Sequence, residues 1–134
     1  MTPDAKVTRR DSIHIEPSHH ELYLQLTTGS EAPFKTMKDL FMLATSVGFA
    51  HGRRTPLSGQ REIFRWPVFS SQEDIPVLRA IAISESGNSA VLVDQDQLLT
   101  IVEEYANAGI EDVRRYITNQ PGMPLESLVE MLLQ

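Results

Sequence analysis

In the stretch FKTMKDLFMLATSVGF the apolar residues Phe34, Met37, Leu40, Phe41, Ala44 and Val47 recur at intervals of three and four. That spacing gathers them on one face of a helix and leaves the polar residues on the other. It returns at Leu98, Ile101, Val102 and Tyr105, and again at Ile110, Val113, Tyr116 and Ile117. Repeated one-sided helices must bury their stripes against one another, so the chain is expected to be mainly α.

Punctuation divides this pattern into elements. Gly48 is expected to stop the helix over 34–48, and Asp94 to cap a helix that ends at Gly109. A further helix is expected over 110–119, one from near Ser71 with Ile75, Leu78 and Ala82 inward, and a closing one with Leu125, Leu128 and Leu132 inward. HHELYLQLTT fits a helix and a strand equally well, because Leu22, Leu24 and Leu26 alternate by two. REIFRW, broken at Pro67, and NSAVLV read as short strands. Residues 1–17 are polar, carry Pro3 and Pro17 and show no period, and so read as a flexible arm. The expectation is a single compact, mainly α domain over 18–134, with five or six helices and at most a short β element around 61–66 and 89–93.

At 134 residues the chain can bury one sizeable core. It has no cysteine, which removes disulfides, thiolate metal sites and a cysteine nucleophile, and points to a reducing compartment, the cytoplasm. The amino-terminal stretch has no apolar signal region, and no apolar run approaches the roughly 18 residues that span a bilayer. No membrane association is expected.

The net charge of −6 is unevenly divided. Residues 1–66 carry nine Lys/Arg against seven Asp/Glu, and residues 67–134 three against eleven. Acidity overall argues against indiscriminate nucleic-acid binding, yet Lys35 to Arg65 holds six basic and two acidic residues. At its centre lies HGRRTPLSGQR, His51 to Arg61, with the turn chemistry of Gly52, Thr55-Pro56 and Gly59. Lys35, Lys38, Arg53, Arg54, Arg61 and Arg65 are the candidate contacts to DNA or to a partner, since a guanidinium fork suits phosphate and carboxylate alike. The competing reading, of about equal weight, pairs these cations with the chain's own acidic half. Phe64 and Trp66 beside Arg65 suit base stacking less well than anchoring a strand in the core.

Catalytic signatures are missing. His14, His19, His20 and His51 do not share the i, i+4 spacing that grips zinc, and a solvated arm is the expected setting for the first three. Glu103, Glu104, Glu111 and Asp112 read as the wet face of their helices. GRRTPLSG lacks the phosphate-loop ending, and no serine sits in a nucleophile elbow. No catalytic residue, metal or cofactor is expected.

The run PFKTMKDLFMLATSVGFAHGRRTPLSGQREIFRWPVF, followed by EDIPVLRAIAI and EEYANAGIEDV, resembles the Dnd system-associated proteins, specifically the fourth family so named. The likeness starts near Pro33, and within the loop it includes Gly52, Arg54, Thr55, Pro56, Leu57, Arg61, Glu62 and Ile63. The resemblance implies a non-catalytic accessory of the prokaryotic systems that install sulfur in the DNA backbone and restrict unmodified invading DNA. In such systems the motor, nuclease and sulfur-transfer activities belong to other components. Those components are the implied partners, through an adaptor surface around the loop; duplex DNA held by the basic loop is the alternative, and a homo-oligomer stays open.

Overall fold

A computed structural model describes residues 10–119, with side chains through Ile117. The element order is β1 (Ser12–Ile15), α1 (His20–Thr27), α2 (Met37–Ala50), β2 (Arg61–Arg65), α3 (Asp74–Ser86) and α4 (Gln95–Asn119), with 3-10 turns at Pro17–His19, Trp66–Val68 and Ser89–Val93. The protein is mainly helical with one small two-stranded sheet. Four α-helices stand among the described residues, where five or six were expected. The expected helices over 95–108 and 110–119 are one, and the closing helix lies outside the described residues.

The merger comes from how α2 and α4 meet. Neither Gly48 nor Gly109 ends a helix. A Cβ on Gly109 would lie 1.8 Å from the Ala44 carbonyl oxygen, and one on Gly48 would lie 2.1 Å from that of Tyr105. Ala44 opposite Gly109 and Gly48 opposite Tyr105 make an antiparallel crossing in which the two backbones touch. Glycine occurs there because no side chain fits. The true stop of α2 is Gly52, at φ +67°, where the Arg53 amide donates to the Gly48 carbonyl (3.0 Å) and the Gly52 amide to the Phe49 carbonyl (3.1 Å).

From Ile101 to Val113 every residue of α4 is buried except Glu104 and Glu111, which are half-buried. This helix is the hub: α2 packs along it, and α3, β1 and the last 3-10 turn close around it. The core joins Leu40, Phe41 and Ala44 of α2 to Leu99, Val102, Ile110 and Val113 of α4, with Leu78 and Ala82 of α3 and Tyr23 of α1. HHELYLQLTT resolves as α1, which buries Leu22, Tyr23 and Leu26.

The small sheet corrects two expectations. Ser12–Ile15, expected within the arm, pairs antiparallel with β2, and Ile13 and Ile15 alternate into the core. The Trp66 amide extends the ladder by donating to the Asp11 carbonyl (2.7 Å). Conversely, Ser89–Val93 is a 3-10 turn, because the Asn88 side chain accepts from the Ala90 amide at 2.8 Å and closes the backbone into a turn. Phe64 and Trp66 belong to an aromatic cluster. Phe64 meets Phe41 and Phe69 edge-on at 5.8 and 5.2 Å, and Trp66 meets Phe69 at 5.4 Å, so these rings are occupied in packing.

Candidate functional site

Gly52 turns the chain so that residues 53–58 run along α4, held by backbone and side chain. The Thr55 amide donates to the Glu104 carbonyl at 3.0 Å. Asn107 Nδ2, from the next turn of α4, donates to the carbonyls of Thr55 (3.0 Å) and Pro56 (3.3 Å). At the far end Glu16 accepts from the Ser58 amide (2.8 Å) and hydroxyl (2.6 Å), which hold its carboxyl below the usual range.

Arg53 and Arg54 of the loop point at the carboxylates of α4 and α3. Arg54 uses all three guanidinium nitrogens on its own chain: Nε and Nη2 donate to Glu104 (3.2 and 2.9 Å), and Nη1 to Glu85 (2.7 Å). Glu85 also accepts from the Tyr105 hydroxyl, which burial and this carboxylate push up to about 12. Asp112 is shared more widely, accepting from Arg53 and Arg115 on one oxygen and facing His51 Nδ1 at 2.9 Å with the other. Burial works against its charge, but the hydrogen bonds from Arg53 and His51 and the charges of Arg53 and Arg115 outweigh it and hold the carboxyl below its usual range.

Between the loop, the Pro17–His19 turn and α4 lies a groove of about 510 Å³, lined by Glu16, His19, Arg53, Ser58, Asn107 and Arg115 among others. His19 is buried beside it, with Nε2 2.6 Å from Glu111 Oε2. That overturns its expected place in a solvated arm, because the 3-10 turn after β1 folds the imidazole against α4. Glu103 and Asp112 are likewise buried where a wet face was expected. Glu103 accepts from the His14 amide (2.7 Å) and lies 3.0 Å from Arg10 Nη2. Burial pushes its carboxyl up to about 7 against those two partners. Periodicity carried no signal for this, because Glu103 lies with Glu104 and Glu111 on the polar side of an amphipathic helix and only tertiary packing covers that side.

A family model described as DNA sulphur modification system-associated protein 4 matches residues 12–134, most of the chain. The chain belongs to that family. No curated protein and no solved structure matches it. Among the described residues no cluster of three or more His, Asp or Glu has the makings of a metal site, and no helix is long and apolar enough to cross a membrane.

The six candidate cations do not form one surface. Arg53 and Arg54 face α4 and α3; Lys38 of α2 bonds Asp74 of α3 at 2.7 Å. Arg65 bonds Asp11 beside β1 at 2.8 Å. Lys35 and Arg61 are exposed and have no ion pair among the described residues. Asn107 and Arg115, which the sequence did not single out, complete the groove. Replacing Asn107 with Ala leaves the Thr55 and Pro56 carbonyls without their donor. The expected cost is about 1–2 kcal/mol, together with faster tryptic cleavage after Arg53 and Arg54; unchanged cleavage would show that the loop is held by other contacts.

Proposed function

We propose that the protein is a non-catalytic accessory of a prokaryotic DNA phosphorothioation-linked restriction and anti-phage system, acting in the cytoplasm as a protein-interaction adaptor. Membership of a family named for its association with the DNA sulphur modification system supports the context. The observation that carries the adaptor reading is the internal pairing of the basic residues. Lys38, Arg53, Arg54 and Arg65 each meet a carboxylate of this chain, and among the described residues Lys35 and Arg61 are the two of the six that have no ion pair. Duplex binding relies on several phosphates being neutralised at once, each adding about −0.9 to the slope of log K against log salt.

Fluorescence anisotropy with plain and phosphorothioated duplexes across a salt series tests the choice. The adaptor reading expects no saturable binding at about 0.15 M salt, and at low salt a slope no steeper than about −2, the value for two contacts. A steeper slope that flattens in Lys35→Ala and Arg61→Ala would establish the alternative, a DNA-binding accessory. Co-expression with the other components of the system is expected to yield a complex stable to gel filtration.

A further inference from the structure

The small sheet has one covered edge and one open edge. On the far side of β1, α4 takes up the backbone: the His14 amide donates to Glu103 Oε2 (2.7 Å), the Arg10 amide to Asp96 Oδ1 (2.9 Å), and Gln95 Nε2 donates to the Arg10 carbonyl (2.6 Å). On the far side of β2 no third strand stands among the described residues. An uncovered edge presents unpaired N–H and C=O groups to another strand, and a sheet of two strands gains from a third.

Which groups face outward follows from the alternation of an antiparallel ladder. The His14 amide points at α4 and away from β2, so Glu62, paired with His14, points away from β1 to the outer edge. The Trp66 amide points at Asp11, so the neighbouring Arg65 also points outward. Plain alternation would put residues three apart on opposite edges. The irregularity at Ile63, one extra residue between the pairs Ile13–Phe64 and His14–Glu62, brings Glu62 and Arg65 to the same edge. Neither makes a backbone–backbone hydrogen bond there among the described residues. Both side chains are exposed, while Ile63 and Phe64 between them are half-buried and pack against the core.

Charge then selects the occupant. About a two-fold axis, the two outward residues allow three pairings with a second copy: Glu62 opposite Glu62, Arg65 opposite Arg65, or Glu62 opposite Arg65. The first two set like charges face to face, which destabilises a strand pair; the third sets opposite charges together twice and lays Ile63 against Phe64 of the second copy between them. Both charged groups have capacity left, since Glu62 accepts from Ser12 with Oε1 and Arg65 serves Asp11 with Nη2. We propose that the protein forms a two-fold dimer in which β2 pairs antiparallel with β2 of a second copy, Glu62 opposite Arg65, so that two small sheets become one of four strands. This goes beyond the adaptor reading and does not depend on it.

Sedimentation velocity of the full chain at rising concentration measures the association, and amide hydrogen exchange locates it. The expected result is a monomer–dimer equilibrium in which the Glu62 and Arg65 amides exchange more slowly as dimer forms. Glu62→Arg places arginines opposite one another at both pairs, and Arg65→Glu places glutamates; each is expected to weaken self-association roughly tenfold. Mixed in equal amounts, the two variants are expected to associate as strongly as the native chain, because every pair is again of opposite sign. Arg65→Glu also faces Asp11, and if it does not fold, Glu62→Pro serves in its place. That variant removes an outward N–H and no bond to β1, and the same loss of self-association is expected. A monomer at every concentration would overturn the proposal, as would a dimer indifferent to both Glu62 variants or one whose slowed amides lie elsewhere. So would folded charge variants that associate no better together than apart. Slowed exchange at Glu62 and Arg65 only when another component of the system is added would make the edge a partner's site and overturn the dimer.

Discussion

Gly109→Ala is expected to lower the stability of the fold by roughly 4 kcal/mol, a large part of the roughly 5–15 kcal/mol that holds a domain folded. Helix propensity alone predicts the opposite, since alanine in a helix interior is favoured over glycine by about 1 kcal/mol. The sign is decided by contact. The new methyl would lie 1.8 Å from the Ala44 carbonyl oxygen and 2.7 Å from the Gly48 amide nitrogen, both backbone atoms inside α2. Neither can swing aside as a side chain would, so α2 and α4 must separate along their whole interface, where Leu40, Phe41, Val102 and Val113 are fully buried. Urea unfolding followed by circular dichroism measures the loss. A variant as stable as the native chain, or more so, would mean that the helices tolerate a wider crossing and that the glycine serves no packing purpose.

The second expected result concerns pH. Between about pH 4.5 and pH 7 the native chain should lose roughly 3 kcal/mol of stability relative to Glu103→Gln. The carboxyl of Glu103 moves from an ordinary 4.5 to about 7 on folding, chiefly through burial. In that window the folded chain retains a proton that the unfolded chain releases, so stability falls as pH rises and levels off once both states are ionised. His14 acts with the opposite sign. Burial and the Arg10 charge lower its pKa, so the unfolded chain binds the extra proton near pH 6.5 and stability rises with pH there. Both proteins contain His14, so subtracting one pH profile from the other leaves Glu103 together with its coupling to His14, whose Nδ1 lies 3.8 Å from Glu103 Oε2. A difference that stays flat from acid to neutral pH would show that the carboxyl is not held away from water between β1 and α4.

These two residues account for much of what distinguishes this fold from a generic helical bundle. Gly109 lets α4 run on as one helix, and the unbroken helix carries Glu103, Asn107 and Asp112 inside, where β1, the loop and the Pro17–His19 turn close over them. The basic first half and the acidic second half thus meet within one molecule. The pairs with a buried member, Arg10 with Glu103 and Arg53 with Asp112, are those in which removing the arginine would leave a carboxyl away from water without its cation. An exposed pair such as Arg65 with Asp11 contributes little, because solvent screens it.

The local pattern of side chains was sufficient for the helical class, for α2 and α4 as amphipathic segments, for the Asp94 cap and for the strand at Arg61–Arg65, because periodicity and capping act over a few residues. The cap is present as a 3.0 Å bond from the Gln97 amide to Asp94 Oδ1. The same local reasoning misplaced Gly48 and Gly109 as helix ends, since a glycine that stops a helix and one that admits a second helix are written with the same letter. It read Ser12–Ile15 as part of an arm because a four-residue strand has no meaning without its partner forty-six residues away, from Ile15 to Arg61. Composition and order alone determined that this chain would be a mainly helical protein with a basic loop and an acidic far half. The tertiary structure decided that those charges face each other, because only the crossing of α2 over α4 brings Arg53 to Asp112 and Arg54 to Glu104, across some fifty to sixty residues of chain.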